Sequence, residues 1–193
     1  METTRATFLR RGAKGGLALV AGGSLLGLAE GTALAAPSAD SDIAKLAATA
    51  ELLAIDFYRR AIASRKFSGD ELAYMQAALG NEQAHYKALA GVLGRAAPKR
   101  LQFKYPNRSF ASAKSIGRLG QALETAFVGA YMGAVTALRS NELKAVAAQI
   151  GANESRHLSV LTNIAAGAIV PAPALPKVLT AAQATSAVRP FLA

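Results

Sequence analysis

A duplicated motif constrains the fold of this 193-residue chain more than any other feature of its sequence. The pattern Asn-Glu-x-x-His-x-x-x-Leu occurs at residues 81–89 and again 72 residues later, at residues 153–161. A Glu followed seven residues later by a Tyr also occurs twice, at residues 51–58 and at residues 124–131. The spacing between copies is far longer than one unit of a solenoid, so it indicates a duplicated helical hairpin.

Apolar residues recur at helical spacing from residue 40 onward, and no segment shows the sustained alternation of a strand. We expect four long helices and one short one, over Asp40–Arg65, Asp70–Val92, Ala113–Arg139, Asn141–Ala166 and Thr180–Val188. Residues 40–42 are expected to cap the first helix. The fold class is therefore all-α, a four-helix bundle.

The connections between these helices predict how they pair. Short links within each pair favour antiparallel hairpins, whereas residues 94–112, which contain Pro98 and Pro106, form a long crossover. We expect this crossover to place the second hairpin parallel to the first, as in bundles with one long connection.

The repeated glutamates and histidines lie on the apolar faces of the predicted helices. In each Glu-x-x-His pair the i, i+3 spacing puts both side chains on one helix face. Burying four carboxylates costs several kcal/mol per ion unless positive charge compensates for it, and two divalent cations would do so. The imidazoles favour iron, manganese or zinc. The candidate metal ligands are Glu51, Glu82, His85, Glu124, Glu154 and His157.

The absence of cysteine narrows the chemistry. It excludes disulfides, iron–sulfur clusters, thiolate zinc sites and a cysteine nucleophile. The chain has only two histidines, so any imidazole chemistry must use the two in the repeated motif.

These residues resemble the ligand set of the ferritin-like di-metal carboxylate superfamily. The resemblance covers residues 40–167; it is greatest to exported ferritin-like domain proteins and more distant to rubrerythrins and bacterioferritins. It implies a ferritin-like four-helix bundle that holds two metal ions, with iron expected and manganese as the alternative. It also implies that Tyr58 and Tyr131 hydrogen-bond metal carboxylates, and it adds no catalytic residue beyond the ligands.

The activity that the resemblance implies is redox chemistry on oxygen, peroxide or ferrous iron, as a di-iron oxidase, ferroxidase or peroxidase. The alternative is a non-enzymatic metal-binding or structural envelope protein of the stress or desiccation type. A peroxidase of this kind would need an outside electron donor, because no cysteine is present for a rubredoxin-type centre. Storage in a shell is not expected, since Pro171, Pro173 and Pro176 stand where cage ferritins carry a fifth helix.

Residues 1–35 predict an export signal. Arg5, Arg10, Arg11 and Lys14 precede an uncharged run over residues 15–28, and small residues at 33–35 suit a signal peptidase. Residues 4–10 resemble the twin-arginine pattern, with Ala6 in place of the second arginine, and the Sec route is the alternative. We expect an exported, periplasmic or other extracytoplasmic protein, with a bundle over 36–167 and a Pro-rich extension with a short helix over 168–193.

A basic stretch over residues 95–118 contains seven Lys and Arg and no acid, with aromatic residues interleaved. We interpret it as an outer face whose aromatic side chains pack on the bundle. Metal ions and small oxidants are the expected partners. A homodimer and a weak contact with an anionic envelope surface stay open, whereas nucleic acid is not expected because an exported protein rarely meets it.

Overall fold

The computed structural model describes residues 38–168 and 173–193. The predicted signal over residues 1–35 lies outside the described residues, as does Pro171. Five α-helices are present in the described part: α1 (Ser38–Ala63), α2 (Gly69–Leu93), α3 (Ala113–Ala137), α4 (Asn141–Ala166) and α5 (Ala181–Val188). The all-α prediction is confirmed, and each helix boundary lies within two residues of its predicted position. Within the described residues, no helix combines the length and apolar character needed to cross a membrane.

The helix ends follow ordinary capping chemistry, with one correction. Ser112 and Ser140 accept hydrogen bonds from backbone N–H groups in the first turns of α3 and α4. Asp40, expected as a cap of α1, instead lies inside its first turn and is buried. Its carboxylate accepts hydrogen bonds from the backbone N–H groups of Arg139 and Ser140, which lower its pKa. Asp40 therefore fastens α1 to the link between α3 and α4.

The two hairpins pack as predicted, but their relative direction differs from the prediction. α1 packs on α2, α3 packs on α4, and α1 also packs on α3. Contacts join Tyr58 to Glu124, Tyr131 to Glu51, and Asp40 to the end of α3, so α1 and α3 are antiparallel. The expectation of parallel hairpins was wrong.

The crossover explains this direction, because it returns along the length of the bundle before α3 begins. Near its start, Pro98 accepts a hydrogen bond from Tyr86 of α2. Further on, the ring of Phe110 packs against Phe57 of α1. Phe57 lies about three helical turns after Ala44 and Ala48, the α1 residues that share a core cluster with Leu93 at the end of α2. α3 therefore starts at the end of the bundle where α2 also starts.

The basic crossover has the surface that the sequence predicts. Phe103 is buried, Tyr105 and Phe110 pack against the core, and the guanidinium of Arg60 lies 5.2 Å from the centre of the Tyr105 ring. All seven basic side chains of residues 95–118 are exposed. The aromatic residues thus attach the crossover to the bundle, and its positive charge faces solvent.

A C-terminal strap (residues 177–188, which include α5) lies against α3 and α1. Leu179 donates its backbone N–H to the carbonyl of Gly129 at 2.9 Å. A Cβ atom at Gly133 would lie 1.8 Å from the Leu179 carbonyl oxygen, so only glycine allows this approach.

Two apolar core clusters fill the bundle, one toward each end. Phe57, Met75, Ile116 and Leu161 belong to the first cluster. The second contains Ala48, Leu93, Leu138, Leu143 and Ile150. Along α1, α2 and α4 the repeated carboxylates fall between residues of the two clusters, so a polar layer crosses the middle of an otherwise apolar core.

Candidate metal centre

The polar layer consists of the six side chains that the repeat singles out. All are buried, and His85 is the most exposed of them at 7%. Each of the four long helices supplies at least one, because the repeat places one glutamate each on α1 and α3 and a Glu-x-x-His pair each on α2 and α4. The structure therefore brings together every residue predicted as a ligand, Glu51, Glu82, His85, Glu124, Glu154 and His157.

Each histidine directs Nδ1 into a set of three carboxylates. Nδ1 of His85 lies 3.0 Å from Glu154 and 3.3 Å from both Glu51 and Glu82. Nδ1 of His157 lies 2.7 Å from Glu82, 3.0 Å from Glu154 and 3.8 Å from Glu124. The same ring nitrogen therefore faces the cluster in both copies of the motif.

The candidate ligand atoms fall into two groups that share two residues. One group contains Glu51 and His85, the other contains Glu124 and His157, and Glu82 and Glu154 belong to both. Within each group the ligand atoms lie within 4.8 Å of one another. The sequence indicated six candidate ligands; the structure adds that the glutamates of the Glu-x-x-His pairs belong to both groups and the other two to one group each.

The two outer glutamates are held by tyrosines of the opposite hairpin. Tyr58 donates its hydroxyl to Glu124 Oε1 at 2.7 Å, and Tyr131 donates to Glu51 Oε1. Each tyrosine therefore bonds the glutamate of the other helix, and not the glutamate seven residues before it on its own helix. In both cases Oε1 is taken and Oε2 is left for the cluster.

Hydrogen bonds do not satisfy this layer. One oxygen of each glutamate is buried without a hydrogen-bond partner in the described part of the chain, although three of the four lie within 3.3 Å of a histidine Nδ1. One Nδ1–H group points at only one oxygen, so it cannot satisfy three carboxylates at once. The four oxygens are Glu51 Oε2, Glu82 Oε1, Glu124 Oε2 and Glu154 Oε1.

Burial and charge act on these groups in opposite directions. Burial raises the pKa values of Glu51 and Glu124 well above their usual range. Burial also acts to raise the pKa of Glu82, but hydrogen bonds from the two histidines outweigh it and lower that pKa to about 2. In metal-free protein, burial therefore favours protonation of the outer glutamates, whereas the histidines favour ionisation of Glu82.

The histidines bind protons more tightly than free imidazole does. Burial would lower the pKa of His85, but the three carboxylates around it outweigh burial and raise that pKa to about 12. For His157, hydrogen bonds to Glu154 and Glu82 overcome the same effect of burial and raise the pKa to about 9. In metal-free protein, protons thus supply the positive charge that the carboxylates require.

Two residues near the layer, Asn81 and Tyr74, were not predicted from the sequence to take part in the site. Asn81 lies 3.2 Å from the far ring nitrogen of His157, and its place in the repeated motif was a signal that it takes part. Tyr74 packs edge-on against the ring of His157, at 6.2 Å between ring centres, and its hydroxyl is buried without a hydrogen-bond partner within the described residues. Tyr74 has no counterpart in the second copy, so no repeat marks it.

An apolar cavity of about 230 Å³ lies between α1, α3 and the strap. Tyr131, whose hydroxyl bonds Glu51, forms part of its wall. The remaining lining is mostly Ala, Leu, Ile and Val, which suits a small apolar molecule and not an ion.

Comparison with known proteins agrees with this architecture. A search of curated proteins found no match. The family model described as "Ferritin-like domain" matches residues 39–167, which span the four long helices and all six residues of the layer. With its four-helix bundle and a buried carboxylate and histidine cluster that could hold metal, the chain belongs to the ferritin-like domain family.

Proposed function

We propose that this protein binds two divalent metal ions, iron in the first place and manganese as the alternative, and performs redox chemistry on oxygen, peroxide or ferrous iron. The observation that carries the proposal is the pair of overlapping ligand groups that share Glu82 and Glu154. Two ions about 3.5–4 Å apart, bridged by shared carboxylates, are a common arrangement in two-metal sites. Such a pair would satisfy the four oxygens that lack hydrogen bonds.

Each part of the layer has a distinct task in this proposal. Glu82 and Glu154 reach both groups, so they would bridge the ions, while His85 and His157 each present Nδ1 to one ion. Tyr58 fixes Glu124 through one oxygen and leaves the other for the site. When bound, the metal pair supplies electrons to a small oxidant or withdraws them from ferrous iron.

The protein around the layer restricts what reaches it. Because the six residues are at most 7% exposed, only small molecules fit the proposed reaction. The apolar cavity beside Tyr131 offers dioxygen, itself apolar, a place to collect next to the hydrogen-bond partner of Glu51. No general base or nucleophile is required of the chain, since the glutamates and histidines act as ligands.

The test is metal content combined with oxygen consumption. We expect protein loaded with ferrous iron without oxygen, and freed of excess metal, to retain about two ions per chain by native mass spectrometry. Air should then oxidise the iron, with oxygen consumption in proportion to chain concentration. A metal content near zero would refute the two-metal site.

The rival function is a non-enzymatic metal-binding or structural envelope protein. The burial of all six residues favours this function, because ions held permanently in a buried layer would stabilise the fold. The same experiment separates the two functions. Two retained ions with no oxygen consumption beyond that of a Glu82→Ala control would identify the structural role.

We also propose that the protein acts outside the cytoplasm, as the export signal over residues 1–35 predicts. The exposed basic face of the crossover would then meet anionic envelope surfaces. Pulse-labelling of the precursor in cells, followed by fractionation, tests the location. Retention of uncleaved protein in the cytoplasm would contradict it.

A further inference from the structure

A carboxamide on α2 contacts the outer ring nitrogen of a histidine on α4. Asn81 Nδ2 lies 3.2 Å from Nε2 of His157, across the bundle interior. Nε2 is on the opposite side of the ring from Nδ1, which faces the carboxylates. The two ends of a carboxamide exchange by a half-turn, so the same contact lets Asn81 Oδ1 accept a hydrogen bond from Nε2–H.

We propose that Asn81 is a positioning residue, which holds the proton of His157 on Nε2 and so presents Nδ1 to a metal ion. This inference rests on the proposed metal site and adds to it the residue that selects the ligating nitrogen. An imidazole that binds metal through Nδ1 carries its remaining proton on Nε2. The partner of that N–H fixes both the tautomer and the orientation of the ring.

The second copy of the motif lacks this contact. Asn153 occupies the position of Asn81 in the repeat, directly before Glu154, but its Oδ1 is buried without a hydrogen-bond partner among the described residues. The site is therefore symmetric in its ligands and asymmetric in their support. Asn153 provides a matched control, since it has the same residue type, helix position and neighbouring glutamate.

The experiment replaces the asparagine with an isosteric residue that cannot accept a hydrogen bond, Asn81→Leu, and with one that can, Asn81→Asp. The probe is ¹¹³Cd²⁺ bound to protein labelled with ¹⁵N in histidine. The chain has two histidines, so only four ring nitrogens give signals, and coupling to cadmium identifies the nitrogen that binds. Affinity is measured in parallel by competition with a chelator.

We expect cadmium to couple to Nδ1 of both histidines in the wild-type protein. Asn81→Leu should weaken binding by about 10- to 100-fold at the ion bound by His157 and remove or displace its Nδ1 coupling. Asn81→Asp should restore both. Asn153→Leu should leave both ions within about threefold of wild type, and Asn153→Asp controls for added negative charge.

The outcomes separate this inference from the proposed function. Unchanged affinity and coupling in Asn81→Leu would overturn the positioning role, and so would an equal loss in Asn153→Leu. Failure of the wild-type protein to bind cadmium would overturn the metal site itself. Melting of the metal-free variants checks folding, and if Asn81→Leu does not fold, Asn81→Ala carries the same test.

Discussion

Metal binding should release protons at a pH where ordinary histidines have none to release. In metal-free protein the pKa values of His85 and His157 are raised to about 12 and about 9 by the surrounding carboxylates, against burial. Both rings are therefore protonated at pH 8, and a metal bound at Nδ1 must displace both protons. The raised pKa values of Glu51 and Glu124 can only add to this number.

The size of the effect follows from the proton count. At pH 8 the two histidines alone should release about two protons per pair of ions, whereas two imidazoles with pKa values near 6.5 would release fewer than about 0.1. These two protons alone should make the combined affinity for two ions rise about 100-fold per pH unit below pH 9, or about 2.7 kcal/mol. Titration calorimetry with Zn²⁺, in buffers of different ionisation enthalpy, measures the count. Release of less than one proton per pair at pH 8 would refute the reasoning.

The same pKa shifts predict that metal-free protein becomes less stable as pH rises. The folded pKa of His157 is above its unfolded value of about 6.5, so its contribution is complete below pH 6.5 and is lost toward pH 9. A rise of the His157 pKa from 6.5 to about 9 corresponds to about 3 kcal/mol, or a fall in Tm on the order of 10 °C. Glu51 and Glu124 act in the same direction, since ionisation opposes their burial. Metal-loaded protein should lack this fall, and thermal melting at pH 6.5 and pH 9 compares the two forms.

Three substitutions test other contacts. Glu82→Ala should abolish two-metal binding and lower the Tm of metal-free protein, because it removes the carboxylate that the two protonated histidines stabilise; the exposed Glu71→Ala should change neither metal content nor Tm. Tyr58→Phe should weaken metal binding about tenfold, because Glu124 loses the hydrogen bond that holds it. Competition with a chelator measures the affinity, and an unchanged value would show that this hydrogen bond does not contribute. Gly133→Ala should displace the strap, which lowers the free energy of unfolding by about 1–3 kcal/mol and the Tm with it, and the strap should then be cut in limited proteolysis. Gly91→Ala is the matched control, because no atom of the described residues outside its own helix lies within 4 Å of the Cβ added there.

The members of the buried polar layer could be predicted because duplication marks them. A Glu-x-x-His pair appears twice with the same neighbours, and burying so many carboxylates makes sense only with compensating charge. Periodicity likewise located the helices, since each carries one apolar face. These predictions depend on local spacing, which the sequence displays directly.

Relations between distant helices could not be predicted in the same way. The hydrogen bond that Asp40 accepts from the backbone N–H of Ser140 joins residues 100 positions apart. The local sequence indicated only that Asp40 could cap a helix. The direction of the second hairpin depends on the path of the crossover, which is long enough to leave α3 either parallel or antiparallel to α1. Which glutamates are shared depends on the rotation of each helix, and the partner of Tyr58 depends on the antiparallel register of α1 and α3.

The separation of the candidate ligands along the chain bears on how the protein would acquire metal. The six side chains come from all four long helices and converge over residues 51–157, so the site exists only after folding. An unfolded chain in the envelope would meet copper and zinc, which bind such ligands more tightly than iron. Folding and loading in the cytoplasm, before export, would let the cell choose the metal.

We therefore predict that the chain is exported folded by the twin-arginine route, steered by Arg5 or by Arg10 and Arg11, and cleaved after Ala35. These residues lie outside the described structure, so the prediction rests on their sequence together with the geometry of the site. Replacing the three arginines with lysine should block export of the precursor, whereas replacing Lys14 with arginine should not. Cells lacking the twin-arginine translocase should retain the precursor with metal already bound. If export continues in those cells, the chain crosses unfolded, and its selectivity for metal must arise in the envelope from the geometry of the folded site.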